Sequence, residues 1–117
     1  MMSEIAKLHI RALPHTLSSR MGTGFVSFLY RSVSIVGFVE IVKKTGRVVG
    51  VVSGIGKLIL TLVVDPEWQH QGIGSQLVKS KEGRLWVYTE ECSVGFYKKL
   101  GFSEITRIGK TILLWRK

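Results

Sequence analysis

The chain has 117 residues, with 17 Lys and Arg against 8 Asp and Glu, for a formal net charge of +9. Its hydrophobic content of 45% and positive mean hydropathy exclude a disordered chain and are enough for one domain, residues 1–117, with a single real core. The most apolar stretch, Val48 to Val64, is interrupted by Gly50, Ser53, Gly54, Gly56 and Lys57, which excludes a membrane span, and a lone Cys92 excludes an internal disulfide and favours a reducing cytoplasm.

In chain order, Ser3 is expected to cap a first helix with Ile5, Leu8 and Ala12 on one stripe. Pro14 breaks or restarts it, and His15 to Met21 add a turn or two. No signal-peptide core precedes it, because Glu4, Lys7, His9 and Arg11 are scattered through the N-terminus. Gly22 and Gly24 mark a loop, and Phe25, Phe28 and Leu29 form a second helical stripe ending near Ser32. Three strands follow: Ile35 to Val42, Arg47 to Ser53 and Leu58 to Val64. They are joined by turns at Lys44-Thr45-Gly46 and Gly54-Ile55-Gly56. Connections this short make the three antiparallel. A helix starting near Gly72 and ending near Lys79 to Lys81 leads to a strand over Arg84 to Thr89, so the strands flanking it are parallel. A helix over Glu91 to Leu100 and a hairpin turning at Gly109 (Ser103 to Ile108, Lys110 to Trp115) complete the chain.

The chemistry concentrates at Val64-Asp65-Pro66-Glu67-Trp68-Gln69-His70-Gln71-Gly72-Ile73-Gly74-Ser75. Pro66 has no N–H for a ladder and ends the strand. Gly72 and Gly74 remove the Cβ atoms that would keep a ligand from the backbone N–H groups of the following helix start, so the segment reads as an anion site for phosphate or pyrophosphate. It is not a P-loop, which needs Lys-Ser/Thr after its second Gly, nor a dinucleotide fingerprint, which needs a third Gly.

The spacing Gln69-x-x-Gly72-x-Gly74 resembles the Q/R-x-x-G-x-G/A pyrophosphate loop of the GNAT superfamily of N-acetyltransferases. Ser93 to Phe102, ending in Phe96-Tyr97-Lys98-Lys99-Leu100-Gly101-Phe102, resembles that family's other signature, F-Y-x-K-x-G-F. The likeness covers about Ala12 to the C-terminus. It implies an α/β (α+β) fold, a mixed, mostly antiparallel sheet of about six strands with helices on both faces. It also implies transfer of acetyl from acetyl-CoA to a primary amine of a small molecule or protein. The family's opening strand has no room here, so that sheet edge is expected to be missing or covered by another subunit, which leaves a homodimer open. The family's cofactor contacts carry over to Leu62, Val63 and Val64 on the strand and to Gln69, His70, Gln71, Gly72, Ile73, Gly74 and Ser75 in the loop. A backbone N–H at Val63 or Val64 would be the oxyanion donor. Tyr97 would be the general acid for the departing thiolate; read on its own it is an amphipathic core aromatic.

No carboxylate lies on Leu58 to Val64 where some family members place a base, which leaves Glu40, Glu90, Glu91 or a water chain. Glu90 and Glu91 also read as capping the last helix, and His70 as loop filler or an anion contact. Cys92 stands near where the family often carries an Asn that bonds the pantetheine arm. With no local His partner, it reads as a small half-buried residue. His9 and His15 lack partners at metal-ligand spacing, so no metal is expected. Trp68, Trp86 and Trp115 read as packing residues. Two other functions fit the sequence: an inactive CoA-binding domain, and a basic nucleic-acid-binding protein, supported only by charge spread along the chain without a run.

Overall fold

The computed structural model describes residues 2–13, 17–81 and 83–116, and the side chains of these except at 17 and 18. The expectations placed on Pro14 and His15 lie outside them. Three helices come first: α1 (Met2–Ala12), α2 (Leu17–Arg20) and α3 (Thr23–Val36). Strands β1 (Phe38–Lys44), β2 (Arg47–Ile55) and β3 (Leu58–Val64) follow. A 3-10 turn over Pro66–Trp68 leads to α4 (Ile73–Lys79), β4 (Leu85–Glu90), α5 (Glu91–Lys99), β5 (Ser103–Ile108) and β6 (Thr111–Arg116). The sheet runs β1-β2-β3-β4-β6-β5. Neighbours are antiparallel except β3 and β4, which the α4 crossover makes parallel. Thr45 and Gly46, at φ 52° and 77°, make the two-residue left-handed turn whose twist matches a β-hairpin.

Helices cover both faces of the sheet. On one, Ile5 and Leu8 of α1 and Val26 and Tyr30 of α3 pack on Val48, Val51 and Val63. On the other, Ile73, Leu77 and Val78 of α4 and Val94 and Tyr97 of α5 pack on Val49, Val52, Ile59, Val87, Ile112 and Leu114. Val48 and Val49 serve opposite faces, as period-2 alternation requires.

Several expected boundaries are corrected. Ser3 lies within α1 rather than capping it, and Gly24 lies within α3. Ile35 and Val36 end α3 instead of starting a strand: helical hydrogen bonding continues to Gly37, whose N–H donates to the Val33 carbonyl. The buried face of α3 is Val26 and Tyr30, whereas Phe28 is 61% exposed. A pair spaced i, i+4 lies against α1, and the Tyr30 hydroxyl finds polar partners, so an aromatic with a polar tip takes the inner position. Gly54 belongs to β2, not to the following turn, and a Cβ there would sit 2.0 Å from the Leu58 carbonyl oxygen.

That close approach marks the feature that shapes the site. The β2–β3 register pairs Gly54 with Ile59 but Ser53 with Thr61, so Leu60 is the extra residue of a β-bulge. The bulge flips side-chain alternation: Ile59 faces α4 and α5, while Thr61 and Val63 face α1 and α3. It also turns β3 away from its parallel neighbour. Strands β3 and β4 pair at Leu58–Trp86 and Ile59–Val87 and then part.

Candidate active site

Where β3 and β4 part, two cavities meet. The first, about 570 Å³, lies on the α4–α5 side and is lined by Leu62, Val64, Trp68, Gln69, His70, Gly72, Ile73, Gly74, Ser75, Cys92, Ser93, Phe96 and Tyr97. The second, about 350 Å³, opens on the α1 side and is lined among others by His9, Leu13, Thr61, Tyr88 and Glu90. Leu62, Cys92, Ser93 and Tyr97 line both, so the openings join through the gap in the sheet.

Main-chain groups face this gap because β3 has lost its partner there. The Asp65 N–H donates to the Val49 carbonyl, which sets the alternation: odd-numbered residues turn their backbone groups to β2, and Leu62 and Val64 turn theirs to the gap. The Val64 carbonyl accepts from Gln69 Nε2 at 3.2 Å, which folds the start of the loop back on the strand. Val63 turns its backbone groups to β2. Its side chain is buried against α1 and α3, and it lines neither cavity.

The loop is held at both ends. Asp65, fully buried, accepts the Glu67 N–H at 3.0 Å and pairs with Arg11 of α1 and, at 3.6 Å, with Arg47 of β2. The 3-10 turn is thereby capped and tied to the far face of the sheet. At the other end Gly72 caps α4 at φ 84°, and His70 has φ 65°. A Cβ on Gly72 would meet nothing, so its glycine serves the left-handed conformation. Gly74 serves packing: a Cβ there would lie 3.1 Å from Phe96 Cζ. Of the expected loop contacts, Gln69, His70, Gly72, Ile73, Gly74 and Ser75 line the first cavity; Gln71 is exposed and does not.

Tyr97 is 4% exposed, edge-to-face with Phe96 at 5.1 Å and with Phe102 at 5.4 Å. Core aromatic and site residue are therefore compatible readings. No group among the described residues bonds its hydroxyl, yet no buried side-chain polar atom among them lacks a partner, so the hydroxyl opens into the cavity. Burial pushes its pKa well above the ordinary tyrosine value.

The expected carboxylate bases are dispersed. Glu40 accepts from Lys81 Nζ at 2.9 Å and Ser80 Oγ at 3.0 Å, away from both cavities, and the Lys81 hydrogen bond lowers its pKa. Glu91 pairs with Arg107 at 2.6 Å. Glu90 makes no side-chain cap on α5 and lines the second cavity. Sequence reasoning missed the buried polar chain on the α1 side: His9 Nδ1 lies 2.8 Å from the Tyr30 hydroxyl, which donates to Thr61 Oγ1 at 3.1 Å, and Thr61 bonds Ser53 at 2.5 Å. The available signal was the position of His9 on the apolar stripe of α1, four residues after Ile5. Among the described residues no group of three His, Cys, Asp or Glu could hold a metal ion. No helix among them is long and apolar enough to cross a membrane.

Known proteins provide the context for this geometry. None of the curated proteins matches the chain. Among solved structures, PH1933 from Pyrococcus horikoshii OT3 superposes with a TM-score of 0.82 at 16% identity, covering 99% of this chain and 89% of that one. The PaiA N-acetyltransferase from Thermoplasma acidophilum, solved in complex with coenzyme A, gives 0.77 at 17% identity, covering 99% and 92%. Apo YjaB from Escherichia coli gives 0.69 at 25% identity, covering 97% and 88%. The family model described as the acetyltransferase (GNAT) domain matches residues 24–104, which takes in β1 to β4, the glycine loop and the Tyr97 helix, and the chain belongs to the GNAT acetyltransferases.

Proposed function

We propose that the whole chain acts as one acetyltransferase domain that moves acetyl from acetyl-CoA to a primary amine. The observation that carries this reading is the cleft through the sheet, with the glycine loop at one mouth and the Tyr97 hydroxyl where the two cavities join. The pyrophosphate would lie on the amides of Gly72, Ile73, Gly74 and Ser75. The pantetheine arm would then take the place of the missing strand beside Leu62 and Val64, bonding to their main-chain groups. That path brings the thioester to the junction from the α4–α5 side, while the amine enters from the α1 side. The solved PaiA complex with coenzyme A, and YncA from Salmonella typhimurium with acetyl-CoA, support the choice of cosubstrate.

Attack of the amine on the carbonyl carbon forms the C–N bond and puts negative charge on the oxygen, which a backbone N–H at Val64 is oriented to receive. Collapse breaks the C–S bond. Tyr97 gives its proton to the departing sulfur and recovers one from the nitrogen. Its raised pKa keeps it protonated throughout the working pH range, so the donor form is always present.

The test is a thermal shift with acetyl-CoA, followed by release of free thiol with a panel of amines. The panel comprises butylamine, spermidine, a peptide with a free α-amino group and a peptide whose only amine is a lysine side chain. Stabilisation with thiol release for at least one amine is expected. Stabilisation without release from any amine would instead identify an inactive CoA-binding domain. No shift, together with salt-sensitive binding to nucleic acid, would sink the assignment in favour of a basic nucleic-acid-binding protein.

A further inference from the structure

We propose that Cys92 is a modification site that takes coenzyme A as a mixed disulfide, an inference that rests on the binding of CoA in the cleft as read above. Cys92 is the one cysteine of the chain, and it is exposed rather than half-buried as expected. It stands in the first turn of α5 and lines both the α4–α5-side and the α1-side cavities. It also lines a third opening of about 460 Å³ beside the hairpin turn at Gly109. Its sulfur therefore borders the junction where acetyl transfer would take place, and solvent reaches it.

An exposed thiol alone would say nothing about a ligand. The independent observation is Tyr97, which is 4% exposed and packed between Phe96 and Phe102. Its hydroxyl bonds no described group and opens into the same two cavities. A polar group held among apolar rings without a protein partner marks the place of a ligand's polar atom, which in the transfer above is the CoA sulfur. Cα–Cβ bonds on a helix tilt toward its N-terminus, so Tyr97 leans back over the first turn of α5. Cys92 and Ser93 lie on that turn, with Sγ and Oγ 4.0 Å apart. At the other mouth, a left-handed Gly72 with open space where its Cβ would be leaves room for the nucleotide end of the same molecule.

The exchange balances. Cys92 gives up its proton, and its thiolate attacks the CoA sulfur of a coenzyme A disulfide, CoA–S–S–R, bound in the cleft. The bond between the Cys92 and CoA sulfurs forms as the bond to R–S breaks. R–S⁻ leaves with the electron pair and takes up a proton. The Cys92 sulfur is oxidised and the R sulfur reduced, so the disulfide is itself the oxidant. The α1-side opening gives R–SH a way out. The adduct keeps its CoA half where acetyl-CoA binds, and it halts transfer until a reducing thiol removes it.

The test is intact-mass spectrometry of the wild-type chain after exposure to the mixed disulfide of CoA and glutathione or, in parallel, to glutathione disulfide. With one cysteine in the chain, the mass reports on Cys92 alone. A reagent held in the cleft acts at an effective concentration of about 1 mM or more, so at about 50 µM it should label at least about twentyfold faster than glutathione disulfide does by collision. The expected adduct is CoA, not glutathione. Its rate of formation saturates with reagent, and excess acetyl-CoA suppresses it. Rates within about twofold for the two reagents, labelling that acetyl-CoA leaves unchanged, or no adduct at all overturns the proposal. The acetyl-CoA thermal shift and the amine panel, run on the same protein, separate this reading from the one beneath it. Neither a shift nor selective labelling brings down both. A shift with an acetylated amine but without selective labelling brings down this one alone, and a shift with selective labelling but no acetylated amine supports it while the transferase reading falls.

Discussion

The asymmetry of the Asp65–Arg11 pair yields a sharp prediction. The carboxylate is fully buried, while the side chains of Arg11 and Arg47 are 47% and 54% exposed. Asp65→Ala removes the charge together with its burial. It loses the cap on Glu67 N–H, about 1 kcal/mol, and two half-exposed ion pairs at a few tenths each, for about 1.5–2 kcal/mol in all. Arg11→Ala looks milder because a more exposed residue is changed, yet it strands a buried carboxylate. Removing one partner of a buried pair costs about 3–5 kcal/mol, and the surviving Arg47 and Glu67 amide place this case near the lower end, about 3 kcal/mol. An unfolding entropy of about 2.1 cal/mol/K per residue makes 1 kcal/mol worth about 4 °C for a chain of 117 residues. Arg11→Ala should then lower Tm by about 12 °C and Asp65→Ala by about 6–8 °C. The double variant should melt above Arg11→Ala, because the second substitution removes the stranded charge. Circular-dichroism melts of the four proteins at pH 7 check this. An Arg11→Ala protein more stable than Asp65→Ala, or a double variant less stable than both, would refute the reasoning.

Three further outcomes are expected. Tyr97→Phe removes a hydroxyl that bonds no described group, so the fold should hold while turnover falls about 10²–10⁴-fold, read as thiol release; unchanged turnover would return Tyr97 to a packing role. Tyr30 and Tyr97 both have raised pKa values, so the folded state keeps protons that the unfolded chain sheds from about pH 10 upward. Stability should be unaffected by these groups below that pH and fall above it, and each Tyr→Phe variant should flatten the fall in a Tm-against-pH series. Gly72→Val forces a β-branched residue into φ 84° at a cost of about 1–2 kcal/mol, and should weaken acetyl-CoA binding in calorimetry more than Gly72→Asn does.

Much of the fold and the loop was legible in the sequence for a physical reason: Leu58–Val64, Pro66, Gly72 and Gly74 each carry a strong local preference that agrees with the fold. Ile35 and Val36 show the opposite case. Their β-branched side chains suggest a strand, but the helix simply runs on to Gly37, and local propensity loses to continuity. The face of α3 was misread because Tyr30 is buried through polar partners on α1 and β3, which no periodicity within α3 can show. His9 escaped notice likewise. Its role depends on what stands opposite it, and Tyr30 and Thr61 are 21 and 52 positions away in the chain.

Least legible of all was the bulge at Leu60, and the site depends on it most. A run such as Leu58-Ile59-Leu60-Thr61-Leu62 reads as uninterrupted strand in the sequence, and only the step from Gly54–Ile59 to Ser53–Thr61 reveals the extra residue. That single insertion has three effects. It breaks the β3–β4 ladder after Ile59, it leaves the main-chain groups of Leu62 and Val64 facing the gap, and it rotates Thr61 onto the α1 face where the His9 chain begins. A regular strand would pair with β4 to its end and close the cleft. It would also keep position 61 on the same face as Ile59, among the apolar side chains under α4 and α5. The opening in the sheet and the polar chain beside it thus share one cause, and Gly54, where a Cβ would fall 2.0 Å from the Leu58 carbonyl oxygen, is what permits it.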